Sequence, residues 1–127
     1  MKNALFATIF ILIFGCLCFV GLPWWSLTPI AALAIFMFPL SGGKSFSTGF
    51  FAGSMLWLIA AMLLNIRNAG MLSAKVGQLF MGMQSWHLLA LTAFLGGLLA
   101  GFGALTGAYA RLMFLPDQKR RRYNKYR

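Results

Sequence analysis

The sequence predicts an all-α, polytopic membrane protein with four transmembrane helices and a short interfacial amphipathic helix between helices 3 and 4. Three observations predict it. Of 127 residues, 61% are hydrophobic and only 9% are charged, whereas a soluble domain carries about 25% charged residues. Four apolar stretches, near residues 4–22, 23–40, 48–65 and 86–115, compare with the roughly 20 residues that cross a bilayer as a helix. The net charge of +10 is uneven: Arg111, Lys119, Arg120, Arg121, Arg122, Lys125 and Arg127 follow the interior of the last stretch, and Asp117 is the one acidic residue. The expected organisation is a single four-helix domain over 1–115 and a basic cytoplasmic tail over 116–127.

Lys2 and the apolar run Ala4–Val20 have the form of a signal peptide, and Ile13-Phe14-Gly15-Cys16 is faintly similar to a bacterial lipobox. Phe14 stands where a small residue belongs, and no A-x-A-like cleavage site follows, so the run reads as an uncleaved first span. Cys16 and Cys18 point about 200° apart on a helix, which suits two small apolar fillers better than a redox or metal pair.

Gly21-Leu22-Pro23-Trp24-Trp25-Ser26 breaks the pattern, and its tryptophans fit a membrane interface. The second stretch carries Pro29 and Pro39. Thr28 as N-cap and Pro29 as first helical residue limit the regular helix to Pro29–Leu40, about 18 Å long. That is short for a bilayer, so Pro23–Leu27 must complete the crossing, or the first two stretches form a hairpin with a kinked second arm.

Ser41–Thr48 reads as a polar, glycine-rich break before the third span, Gly49–Asn65, in which Gly49 and Gly53 lie four apart. Between the third and fourth spans, Leu72, Val76, Leu79, Phe80 and Met83 recur at helical spacing, while Ser73, Lys75 and Gln78 fall on other faces. This suits a short helix lying in the interface. Gly77 and Gly82 weaken the pattern, and a loop packed on the bundle end is the alternative.

The fourth span opens with Ser85 as N-cap and Trp86 as interfacial anchor, and Pro116 stops it. Wound as a helix, it carries three ridges of small residues: Gly96, Ala100, Ala104 and Ala108; Gly97 and Gly101; Gly103 and Gly107. Small residues four apart let a second helix approach closely, so van der Waals contact replaces the hydrophobic drive that lipid cannot supply. The Gly49/Gly53 face is the expected mate.

The positive-inside rule places the tail, Lys2 and Lys44 inside and Arg67 and Lys75 outside, giving both termini a cytoplasmic location. The positive n-region and compact loops suit a prokaryotic inner membrane. Lys44, Lys119, Arg120, Arg121, Arg122, Lys125 and Arg127 are expected to meet anionic lipid headgroups. Tyr123 and Tyr126 could stack on nucleic acid bases, a weaker reading of so short a tail.

Candidate chemistry is sparse. The chain has no Glu and its single Asp lies in the tail, which argues against ion-coupled transport through an intramembrane carboxylate, as in small multidrug antiporters or rotor-type proteolipids. His87 is the only histidine; it has no carboxylate to orient it, and Ser85 points elsewhere on the helix. No catalytic, cofactor or metal site is expected. Gly42-Gly43-Lys44-Ser45 resembles the end of a phosphate loop, but Phe38 stands at the first glycine and no strand precedes it. Asn65, Arg67 and Asn68 cluster at the outer end of the third span: Arg67 could hold a carboxylate or phosphate, or the group is a solvated helix end with Asn65 capping carbonyls.

Gly42–Thr48 also resembles the glycine- and threonine-rich break of the small four-span fluoride channels of bacteria. Those channels carry an Asn in the second span and an Arg-containing glycine motif near the first. Pro29–Leu40 has no Asn and Ala4–Val20 no Arg, so the family is not assigned. The expected function is a non-enzymatic accessory, assembly or scaffold component, as a homo-oligomer or a subunit of a larger membrane complex. The alternative is an oligomeric small-solute or anion pore, including a holin-like, lesion-forming protein.

Overall fold

A computed structural model describes residues 2–21 and 23–115, without the side chains of residues 18–20 and 24. The basic tail with Lys119, Arg120, Arg121, Arg122, Lys125 and Arg127 lies outside the described residues, as does Pro116. The chain is all-α: α1 (Lys2–Gly21), a 3-10 turn (Trp24–Ser26), α2 (Leu27–Met37), α3 (Gly42–Arg67), α4 (Met71–Leu79) and α5 (Ser85–Phe114). There is no strand among the described residues.

Four boundaries differ from the sequence expectation. α3 starts at Gly42 rather than near 48. Ser41 is its extended N-cap (φ −67°, ψ 150°), and the hydroxyls of Ser45 and Ser47 donate to the carbonyls of Ser41 (3.0 Å) and Gly43 (3.1 Å). The serines that mark a break in composition are thus satisfied inside the helix. α2 starts at Leu27 with Ser26 as N-cap, not at Pro29 after Thr28. Pro29 remains in the first turn, where backbone N–H groups have no intrahelical acceptor, so its missing donor costs nothing. The helix ends at Met37, short of Leu40, because Pro39 forces Phe38 out of the helical region (φ −109°, ψ 90°). α5 takes Gln84, not Ser85, as its extended N-cap.

α3 and α5 share the most extensive interface, followed by α2 with α5, and α1 closes the bundle against α3 and α2. α3 runs antiparallel to α5, since Gly49 lies by Ala104 and Gly53 by Gly96. α2 runs parallel to the second half of α5, with Thr28 by Gly103 and Ala32 by Gly107. The core is dominated by alanine: Ala7, Ala31, Ala34, Ala52, Ala100 and Ala104 are buried with Ile11, Leu27, Ile35 and Leu56. At one end the start of α1 meets the end of α2, where the Asn3 amide donates to the Pro39 carbonyl (3.3 Å). Gly42 of α3 and Tyr109 of α5 come together at the same end. α4 packs on α5 and α3 at the other end.

Gly42–Arg67 and Ser85–Phe114 are long and apolar enough to cross a membrane. Leu27–Met37 is apolar but shorter, as is the stretch Lys2–Leu17 of α1. Among the described residues, length and composition therefore single out two helices, where the sequence predicts four.

Candidate functional site

The candidate site is the small-residue surface of α5, and its ridges meet different neighbours. Gly96, Ala100 and Ala104 face α3. A β-carbon at Gly49 would stand 2.6 Å from the Ala100 carbonyl oxygen and 2.6 Å from the Ala104 β-carbon. One at Gly53 would stand 2.7 Å from the Gly96 carbonyl oxygen and overlap the Ala100 side chain. At these points the glycine Cα–H groups face carbonyl oxygens, the weak hydrogen-bond geometry that recurs at helix interfaces. Trp57 lies over Gly96.

Gly97 and Gly101 form the outer side of the same seam. Gly97 receives Ser54 and Phe50, and Gly101 receives the Phe46 ring, 2.8 Å from the place of a β-carbon. Phe46 and Phe50 stack with centroids 6.0 Å apart, and they meet Phe102 and Phe94 edge-on at 5.7 and 5.8 Å. Aromatic rings therefore roof this ridge.

The third ridge turns to α2. Gly103 lies against the Thr28 carbonyl and Gly107 against the Ala32 carbonyl. One step further, Arg111 donates from Nη1 to the Phe36 carbonyl oxygen, with its guanidinium 5.9 Å from the Phe36 ring centroid. Pro39 has no N–H to donate back into α2, so the guanidinium supplies a donor at an end where helix carbonyls lack partners. Sequence reading treated Arg111 only as one of the basic residues near the tail. The signal was present: Gly103, Gly107 and Arg111 are spaced by four, as are Thr28, Ala32 and Phe36.

No protein-family model, curated protein or solved structure matches this chain. What the site can do must therefore come from its residues. Asn65 and Arg67 separate. Asn65 Oδ1 accepts a 2.6 Å hydrogen bond from Ser73 Oγ, tying α3 to α4, whereas the Arg67 side chain is exposed. Lys44 is exposed in the first turn of α3, at the end shared with Tyr109.

Among the described residues, two side-chain polar atoms are buried without a hydrogen-bond partner: Ser54 Oγ, beside Gly97, and His87 Nδ1. The His87 ring stacks on Trp86 at 3.6 Å, and the Trp86 indole donates to Gln84 Oε1 at 2.8 Å. Ser54 lies on α3 and meets the middle of α5 at Gly97, whereas His87 stands in the first turn of α5. Among the described residues no group of three or more His, Cys, Asp or Glu could hold a metal ion.

Proposed function

We propose that the chain is a four-span integral membrane protein of a prokaryotic inner membrane, with both termini cytoplasmic. It works without catalysis, as an accessory, assembly or scaffold component within a homo-oligomer or a larger membrane complex. The observation that carries this reading is the distribution of residue size. Glycine and alanine line the helix interfaces, while large apolar side chains such as Leu5, Ile13, Phe51, Leu63, Phe94 and Leu112 are exposed. In water that exterior would be an apolar surface far larger than monomers tolerate. In lipid it is ordinary, and close small-residue contacts are what hold helices together there.

The two shorter elements fit the same reading. α1 has 20 residues, about 30 Å at 1.5 Å per residue, the thickness of the hydrocarbon core. α2 has 11 residues and covers about half that thickness. Its flanking segments complete the crossing, and the donors from Asn3 and Arg111 meet carbonyls that lipid would leave unsatisfied. Lys2, Lys44 and Arg111 favour the tail-bearing end as the cytoplasmic face, where each basic residue near anionic headgroups contributes about 1 kcal/mol.

All three ridges of α5 are occupied within one chain, so a partner or second copy would meet the large-residue exterior. A pore would run between copies, because backbones touch along the middle of the bundle. Membrane extraction and purification test the reading. The chain should resist alkaline carbonate and co-purify in mild detergent with itself or a stoichiometric partner. Release by carbonate would sink it, and anion flux from the purified protein in vesicles would favour the pore.

A further inference from the structure

We infer that α4 and the turn after it form a membrane anchor, seated at the headgroup–acyl boundary of the leaflet opposite the basic tail. The inference rests on the four-span reading and adds a fifth point of lipid contact to it. At about 100° per residue, Leu72, Val76 and Leu79 fall in one sector of α4, and Phe80 follows directly as its C-cap. Ser73 and Gly77 fall in the next, and Gln78 on the far side. The Ser73/Gly77 sector holds α4 to the bundle. Ser73 donates to Asn65, and Gly77 lies against the Met83 carbonyl and near Leu88 of α5. Gly77 is the only buried residue of α4. Most of the apolar sector is therefore uncovered: Leu79 is 83% exposed and Leu72 and Phe80 are also exposed, while Val76 is half-buried.

Two backbone reversals hold the element in place. Ala69 and Gly70 (φ 49° and 71°) precede α4, and Met81 and Gly82 (φ 57° and 82°) follow it. Each pair is left-handed, a conformation that a residue with a side chain seldom takes. The second reversal places Met81 at the tip, 102% exposed, directly after Leu79 and Phe80. A long apolar side chain fixed outward at a turn tip has no role in the fold of the chain itself.

The occupant is lipid for two reasons. α4 joins α3 and α5, the two helices long and apolar enough to cross a membrane, and the ends it joins carry exposed Leu63, Leu64 and Ile66 on α3 and exposed Trp86 on α5. Arg67, in the last turn of α3, and Lys75, next to Leu79 around the turn of α4, are both exposed and supply basic groups for the phosphates that lie above the acyl boundary. This pairing of a basic rim with an apolar face is how interfacial helices bind.

Spin labels test the anchor. Leu79→Cys, Met81→Cys, Lys75→Cys and Phe51→Cys would each be labelled in a background lacking Cys16 and Cys18. The purified proteins would be placed in nanodiscs of phosphatidylcholine and phosphatidylglycerol, and collisions with oxygen and with a water-soluble nickel chelate measured. The expected result is loss of nickel collisions at 79 and 81 relative to 75, with oxygen collisions retained. Nickel access at 79 and 81 equal to that at 75 overturns the anchor. Exclusion of both reagents there also overturns it, in favour of a second copy covering the face. The label at Phe51, on the exposed side of α3, separates the two ideas: nickel access at that position overturns the bilayer reading itself.

Discussion

Gly107 on α5 faces the backbone carbonyl of Ala32 on α2 with no room for a β-carbon between them. The contact is one rung of a ladder. Gly103 meets the Thr28 carbonyl on one side of it, and Arg111 meets the Phe36 carbonyl on the other. Both helices advance by four residues per rung because they run parallel. A short helix is thereby fixed to a long one through its carbonyls rather than through large side chains.

Replacing Gly107 or Gly103 with alanine should therefore destabilise the protein. The added methyl meets backbone, which cannot rotate away, so each change should cost about 1–3 kcal/mol, the range of overpacking in a closed interface. Gly53→Ala should behave alike at the α3 seam, where the Gly96 carbonyl oxygen stands 2.7 Å from the new carbon. Gly43→Ala, with nothing within 4 Å, should stay within about 0.5 kcal/mol of the parent. Denaturation in mixed micelles measures all four. Equal effects at positions 43 and 107 would refute the ladder.

Arg111→Gln should loosen α2 selectively. The guanidinium donates to a carbonyl at the end of α2 and lies over the Phe36 ring. Glutamine is shorter and uncharged, so the bond to Phe36 should be lost at a cost of about 1–2 kcal/mol. Hydrogen exchange should accelerate in Leu27–Met37 and stay unchanged in the middle of α3. Uniform acceleration across the bundle would mean that Arg111 acts through overall stability instead.

The all-α class was legible because apolar composition and helical punctuation survive any packing arrangement. The spacing of the small residues was legible too, since a period of four marks a ridge whatever it faces. Which neighbour each ridge meets was not. Gly97 and Gly103 look alike in sequence, yet one sits under Phe50 and the other against Thr28. The start of α3 was hidden for a different reason. Gly42, Gly43, Ser45 and Ser47 have turn composition, and only the hydroxyl bonds back to the preceding turn show how a helix accommodates them. Arg111 was obscured by the basic residues that follow it, which suggested a role set by charge alone.

Ser54→Ala should leave the protein as stable as the parent or more so. Ser54 Oγ is buried beside Gly97 and has no hydrogen-bond partner. An unsatisfied buried hydroxyl costs about 1–3 kcal/mol, and alanine removes the polar atom while keeping the β-carbon. The same micelle denaturation measures it. A clear loss of stability would show that the hydroxyl does find a partner inside the seam, such as the Phe50 carbonyl that also lies beside Gly97.

The charge distribution predicts which residues face each side of the membrane. Lys44 lies at the end where Asn3 meets Pro39 and Gly42 meets Tyr109, and Lys75 lies on α4 at the opposite end. On the four-span reading, basic residues concentrate on the cytoplasmic side. Lys44→Cys and Lys75→Cys, each in a background with Cys16 and Cys18 replaced by alanine, separate the two faces. A membrane-impermeant maleimide added to intact cells should label position 75 and leave 44 unlabelled until the cells are opened. The reverse pattern would invert the orientation, and labelling of both in intact cells would place the two ends on one side and end the four-span reading.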